Sequence, residues 1–148
     1  MRSINTLLCS LAFMFLTFSA TLAPSAVAAG PEWVQLDENA DSSFYYDKAG
    51  KSRPKEGIVR VETRVVYSDK GKADALKTLS TSKDLAKLHE SRYLYELNCG
   101  ERESRLLNAA HLDKGGKVLR STDLSSFTEW EAIPPEVRMI RVLQEACQ

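Results

Sequence analysis

The strongest constraint on the fold is a ten-residue run, Ile58–Tyr67, in which apolar and charged residues alternate. The even-numbered positions include Arg60, Glu62 and Arg64. The odd-numbered positions are uncharged: Val59, Val61, Thr63, Val65 and Tyr67. Because successive side chains of a β-strand point to opposite faces of the sheet, this pattern predicts a half-buried antiparallel strand. One face should lie on a core and the charged face should meet solvent.

Similar segments along the chain predict about six strands. They lie at 32–38, 44–47, 58–67, 92–99, 105–112 and 117–122. Residues 73–90 are rich in alanine, leucine and lysine, which predicts one or two short helical turns over a sheet edge. A C-terminal helix is expected to begin at the Pro-Pro-Glu of 134–136. Strands followed by a helix are typical of an α+β fold, so we expect one antiparallel sheet with this helix packed on one face.

The first 29 residues have the pattern of a secretory signal peptide. Arg2 precedes the apolar stretch Leu7–Leu22, and Ala26–Ala28 reads as an A-x-A cleavage site. A stretch of sixteen residues is shorter than the roughly 20 that a membrane-spanning helix needs. Cys9 lies within the apolar stretch and is preceded by a leucine, so no lipobox is present. We therefore expect an exported single domain at 30–148, periplasmic or secreted, with no stable membrane insertion after cleavage.

Two cysteines, Cys99 and Cys147, remain in the expected mature chain. An even number of cysteines in an oxidising compartment favours a disulfide. Cys99 shares a strand face with Tyr95 and Leu97, and Cys147 falls on the apolar side of the terminal helix. Both sulfurs would therefore meet where the helix contacts the sheet. Free thiols, a metal site and a catalytic cysteine are the weaker alternatives, since the chain has no C-x-x-C or H-x-x-x-H spacing.

The composition excludes several functional classes. The full chain has 20 basic and 20 acidic residues, so no excess charge steers it towards nucleic acid. We expect no metal, no cofactor and no enzymatic activity, because no catalytic constellation, phosphate-binding loop or metal motif is present. The remaining acid–base candidates are interpreted as surface or rim residues: His89, His111, Glu101, Glu103, Glu129 and Glu131.

One surface remains as a candidate binding site. Arg60, Glu62 and Arg64 lie on the face opposite the valines, and Arg92 occupies the corresponding face of the later strand, where Glu96 could extend it. Arginine and tyrosine anchors often carry the energy of protein interfaces. A merely solvated charged face is the alternative. An exposed strand edge could also pair with a second copy to form a homodimer.

Several segments together resemble the surface-adhesin protein E family of Gram-negative bacteria. These are WVQL at 33–36, FYYD at 44–47, VRVETRVVYSDKG at 59–71, RYLYELNCGERE at 92–103, and the terminal helix with Cys147. The resemblance implies a six-stranded antiparallel sheet with the C-terminal helix stapled to it by Cys99–Cys147. It also implies an exported module that binds a ligand such as a host or matrix protein. The family's namesake is lipid-anchored, whereas this chain has no lipobox, so a periplasmic structural or accessory envelope protein is the alternative.

Overall fold

A computed structural model describes residues 30–79 and 83–148 of the chain. The signal peptide predicted over residues 1–29 lies outside the described residues. The elements run in chain order as β1 Trp33–Glu38, β2 Ser42–Asp47, β3 Ser52–Lys55, β4 Ile58–Tyr67, α1 Asp69–Thr78, a 3-10 helix Lys83–Lys87, β5 Glu90–Asn98, β6 Glu103–Leu112, β7 Val118–Asp123, β8 Glu131–Ala132 and α2 Met139–Ala146.

All strand pairs in the single sheet are antiparallel, and six strands form a continuous path in the order β1-β2-β4-β5-β6-β7. Two short strands extend it: β3 pairs with the start of β4, and β8 pairs with the start of β6. The predicted α+β class and its six principal strands are confirmed. The strand β3 was not predicted because it is fully exposed and contains Pro54. The strand β8 was not predicted because its two residues are too few to show an alternation.

The core lies on the valine face of β4, as the alternation predicts. Val59, Val61 and Thr63 have no exposed surface. The buried hydrophobic cluster joins side chains from β2, β4, β5 and α2 with one residue that follows β8: Phe44, Tyr46, Val59, Val61, Leu97, Ile133, Val142, Leu143 and Ala146. The C-terminal helix therefore packs on this face and leaves the charged face of the sheet uncovered.

The segment between β4 and β5 differs from the prediction of helical turns over 73–90. The helix α1 begins earlier, at Asp69, because the Ser68 hydroxyl caps it by accepting a hydrogen bond from the Gly71 amide at 3.1 Å. Gly71 is required there, since a Cβ at this position would lie 1.9 Å from the carbonyl oxygen of Asp41. Residues 80–82 lie outside the described part of the chain. Glu90, assigned from sequence to the helical segment, is the first residue of β5.

The predicted start of the terminal helix at 134–136 is wrong, because turns occupy 135–138 and α2 begins at Met139. Arg138 precedes the helix and binds β1 and β2. Its Nε donates to Asp37 Oδ2 at 2.6 Å and its Nη1 donates to Ser42 Oγ at 2.8 Å. These bonds position the first turn of α2 without any proline at its first position.

The disulfide between Cys99 and Cys147 is present, with a Cα–Cα distance of 5.7 Å, and that prediction is confirmed. It joins the residue after β5 to the residue that ends α2. Of the helices in the described ranges, none combines the length and apolar character that a membrane crossing requires.

Candidate functional site

The face of the sheet opposite α2 carries the four predicted binding residues. Arg60, Glu62 and Arg64 lie on β4, and Arg92 lies on β5 directly opposite Arg64. Paired residues in an antiparallel sheet point to the same face, so the register brings all four side chains to one surface. We call this surface the charged face.

A buried carboxylate holds two of the arginines in place. Glu90 is only 3% exposed, and it lies opposite Val66 in the adjacent strand. Its carboxylate accepts hydrogen bonds from Arg64 Nε at 2.6 Å and from Arg92 Nε at 2.8 Å, and Arg64 Nη2 forms a further ion pair with it. We call this group the Glu90 triad. Its two guanidinium groups and one carboxylate leave one positive charge uncompensated.

A second triad surrounds Glu96, which is 5% exposed. Arg60 Nη2 and Arg105 Nη2 each donate to its carboxylate at 2.7 Å. Burial alone would raise the pKa of Glu96, but the hydrogen bonds and charges of the two arginines outweigh burial and lower it. Within the described residues, the buried Nε atoms of both arginines have no hydrogen-bond acceptor. In the Glu96 triad the arginine Nε–H groups are therefore unpaired, whereas in the Glu90 triad both Nε–H groups are hydrogen-bonded.

Aromatic rings lie near three of the four triad arginines, Arg64, Arg92 and Arg105. Trp33 lies 5.6 Å from the Arg64 guanidinium and 5.4 Å from that of Arg92, measured to the ring centroid. The same Arg64 lies 5.8 Å from the Tyr45 ring. In the second triad, the Arg105 guanidinium lies 5.2 Å from the Trp130 ring. Cation–π contacts at these distances help to hold the three guanidinium groups in place.

Glu62 occupies the space between the triads. It lies opposite Leu94, and its carboxylate forms no ion pair or side-chain hydrogen bond with any residue that the structure describes. Burial raises its pKa, and the nearby charges of Asp47 and Glu90 add to the rise, while Arg92 opposes it. Among the described residues, the charged face therefore contains one acidic group that no arginine binds by a hydrogen bond or ion pair.

The sequence pattern indicated five members of this surface, namely Arg60, Glu62, Arg64, Arg92 and Glu96, but not the others. Glu90 was missed because it was placed in the helical segment, although the alternation of Arg92, Leu94 and Glu96 extends back to it in phase. The aromatic residues have no distinguishing signal of their own, although Trp33 and Tyr45 occupy the polar phase of their strands. The remaining members that were missed are Arg105 and Trp130.

A separate polar group lies on the core side, beneath the segment that joins β4 to β5. Ser91 is fully buried, and its Oγ lies 2.7 Å from Nδ1 of His111 and accepts a hydrogen bond from the Tyr67 hydroxyl at 3.0 Å. Burial lowers the pKa of His111, and the positive charge of Arg120 lowers it further. A serine and a histidine are thus adjacent, but His111 is only 5% exposed, which closes the pair to a substrate.

In the described ranges, no group of three or more histidine, cysteine, aspartate or glutamate side chains is arranged to hold a metal ion. The candidate site thus consists of arginines, carboxylates and aromatic rings. Such groups suit recognition of a polar partner surface.

Comparison with known proteins agrees with this architecture. A solved structure, "The structure of Haemophilus influenzae protein E", is similar to this chain with a TM-score of 0.51 at 15% identity, covering 85% of this chain and 90% of that chain. Identity this low establishes a shared fold alone. A search of curated proteins finds no significant match. The family model for surface-adhesin protein E matches residues 33–148, which is all of the sheet and both helices, and the chain belongs to that family.

Proposed function

We propose that this protein is an exported, non-enzymatic binding module that holds a protein partner on its charged face. The observation that carries the proposal is the pair of arginine–glutamate triads, three of whose four arginines also make cation–π contacts with aromatic rings. Membership of the surface-adhesin protein E family supports an adhesin-like role.

The triads favour binding because they hold the arginines before a partner arrives. A free arginine side chain loses rotamer freedom when it is immobilised at an interface, at a cost of about 0.5–1.5 kcal/mol per side chain. Here the hydrogen bonds to Glu90 and Glu96 already restrict the arginine side chains in the unbound protein, so most of that entropy is lost on folding rather than on binding. Each triad retains one positive charge, so we expect the partner to present carboxylates to it, with tryptophan and tyrosine rings supplying apolar contact area.

A non-enzymatic role is supported by how the charged groups are used. The carboxylates of the triads are occupied by hydrogen bonds from the arginines, and the Ser91–His111 contact is buried. General acid–base catalysis requires a group within reach of a substrate proton. None of these groups is arranged for that purpose.

The test is binding to a panel of purified extracellular-matrix and plasma proteins, measured by surface plasmon resonance. The test variant combines Arg60→Gln and Arg92→Gln, the more exposed arginines of the two triads at 43% and 30%. Each buried glutamate keeps its other arginine, so the fold should survive. We expect binding to weaken at least about tenfold.

The matched control combines Lys114→Gln and Lys117→Gln, which removes the same charge from the exposed β6–β7 turn. It should bind as the unaltered protein does. Panel proteins that bind the test variant and the unaltered protein equally would exclude the charged face as the binding site.

A periplasmic structural or accessory role is the second candidate, and the missing lipobox favours it. Protease added to intact cells distinguishes the two. A surface-displayed adhesin is digested, whereas a periplasmic protein is degraded only after the outer membrane is permeabilised. A mature protein that begins near residue 30 by mass spectrometry would support export in both cases.

A further inference from the structure

A cleft on the opposite side of the sheet has no role in the binding face described above. It has a volume of about 290 Å³ and lies between the start of α2, the strands β5 and β6, and the connection from β7 to β8. Its apolar lining comes from the ring of Tyr95 and the side chains of Leu106 and Met139. Its acidic lining comes from Glu129 and Glu131.

The two carboxylates are uncompensated. Glu129 and Glu131 are both exposed, and within residues 30–79 and 83–148 neither forms an ion pair or a side-chain hydrogen bond. Burial, together with the charges of Tyr93 and Glu131, raises the pKa of Tyr95 to about 12. The phenol therefore stays neutral at physiological pH, and the cleft carries only the negative charge of its two glutamates.

The cleft combines an apolar wall with charge at one side, which is the pattern that a lysine side chain satisfies. Its methylene stem gains by contact with Leu106, Met139 and the Tyr95 ring, and Met139 can adapt its shape to the stem. Its ammonium group has three donors for the two carboxylates, and the ring face of Tyr95 attracts a cation. A volume near the lower limit of small-ligand pockets suits a single side chain.

We propose that this cleft receives a lysine side chain of a partner polypeptide. The site is distinct from the charged face, since it lies beside α2 on the core side of the sheet, and it has the opposite charge preference. The module would thus offer an acidic receptor on one side and a basic, aromatic surface on the other. Failure of either site leaves the other proposal intact.

The test is an NMR titration of the oxidised mature domain with two blocked tripeptides, acetyl-Gly-Lys-Gly-amide and acetyl-Gly-norleucine-Gly-amide. The norleucine peptide keeps the aliphatic stem and lacks the ammonium group. We expect the lysine peptide to produce saturable shift changes at the amides that line the cleft. The Kd should lie in the millimolar range, which corresponds to a binding free energy of about −4 kcal/mol. The norleucine peptide should bind at least about fivefold more weakly.

The variant Glu129→Gln/Glu131→Gln keeps the shape of both side chains and removes their charge. It should weaken the lysine peptide at least about fivefold, while the control Glu56→Gln leaves the affinity unchanged. Glu56 is exposed in the turn between β3 and β4, and β4 and β5 separate it from β6 and β8. A spectrum that otherwise superimposes on that of the unaltered protein shows that the variant is folded.

Three results would overturn the proposal. They are equal binding of the two tripeptides, unchanged lysine-peptide binding in the double variant, and no saturable shift at concentrations of about 50 mM. A fourth arm uses n-butylammonium chloride: affinity equal to that of the lysine peptide would assign the cleft to free amines and reject the polypeptide assignment.

Discussion

The three glutamates of the charged face differ in how their carboxylates are paired. Glu90 and Glu96 are buried, but each accepts hydrogen bonds from two arginines. Glu62 lies between them and has no such partner in the part of the chain that the structure describes. An unpaired carboxylate that is partly buried among other acidic groups opposes folding when it is ionised.

Replacing Glu62 with glutamine is expected to stabilise the protein at pH 7. Because the folded-state pKa of Glu62 is raised by burial, the folded state holds its proton more tightly than the unfolded state does. Its contribution to stability is therefore present at low pH and is lost as the pH rises through the folded pKa. Urea unfolding should show a higher midpoint for Glu62→Gln at pH 7 and converging midpoints below about pH 4, where Glu62 is protonated in both states.

The control for that change is Glu38→Gln, at an exposed position near the end of β1. It should leave the midpoint nearly unchanged, since isolated surface charges contribute little. A lower midpoint for Glu62→Gln at pH 7 would show that the carboxylate is stabilised in the folded state.

His111 is expected to make the protein lose stability in mild acid. Burial lowers its folded-state pKa below the ordinary value of 6.5, so the unfolded state binds the proton more readily. This contribution is present above the unfolded pKa and is lost as the pH falls towards the folded pKa. The free energy of unfolding should therefore decline from pH 7 to pH 5, and His111→Asn should flatten that decline. An equally steep decline in the variant would assign the effect to another group.

At the scale of elements, α2 is held to the sheet by polar contacts at its start and by a covalent bond at its end. Arg138 reaches both Asp37 of β1 and Ser42 of β2, and its guanidinium lies 5.8 Å from the Phe44 ring centroid. An eight-residue helix is too short to be stable in isolation. Its conformation therefore depends on these attachments and on the apolar residues that it buries.

Replacing Arg138 with alanine should destabilise the protein by about 1–3 kcal/mol, because partly buried acceptors on Asp37 and Ser42 would lose their donors. Arg138→Lys should rescue little of this, since an ammonium group cannot reproduce the planar, multidentate geometry. Thermal or urea unfolding measures both effects.

The control is Arg141→Ala on the next turn. Its side chain is 54% exposed and its carboxylate contact with Asp37 is longer, at 3.3 Å. It should cost less than Arg138→Ala. Equal costs would show that general charge near Asp37, rather than the geometry of Arg138, holds the helix.

The whole molecule is a sheet with a covered face and an open face. The Cys99–Cys147 bond closes the covered side by joining the centre of the sheet to the end of the chain across 48 positions. The bond ties the end of α2 to the end of β5, whereas Arg138 and Arg141 tie the start of α2 to β1 and β2. Loss of the bond should therefore release the helix before it affects the strands.

Removing the disulfide with Cys99→Ala/Cys147→Ala should cost about 2–5 kcal/mol of stability. Hydrogen exchange should show α2 amides losing protection while the central β4 and β5 amides remain among the most protected. Mild reduction of the unaltered protein should give the same pattern. Uniform loss of protection across strands and helix would instead show that the fold unfolds as a single unit without the bond.

The sequence by itself determined the faces of the strands, the covering helix and the disulfide. Each of these follows from a local regularity: the period-two alternation of Ile58–Tyr67, and two cysteines that both fall on the buried side. The start of α2 was predicted too early because Pro135 and Glu136 fit a first helical turn. The structure instead forms turns there, so that Arg138 can reach β1 and β2.

Only the tertiary structure decided which charges meet. Alternation specifies the face of a residue, but a shift of two residues between neighbouring strands keeps every face and changes every partner. The observed register places Arg60 opposite Glu96 and Arg105 beside it, and it leaves Glu62 opposite Leu94. The two triads and the unpaired carboxylate therefore arise from strand order and register, which long-range pairing sets and local sequence does not encode.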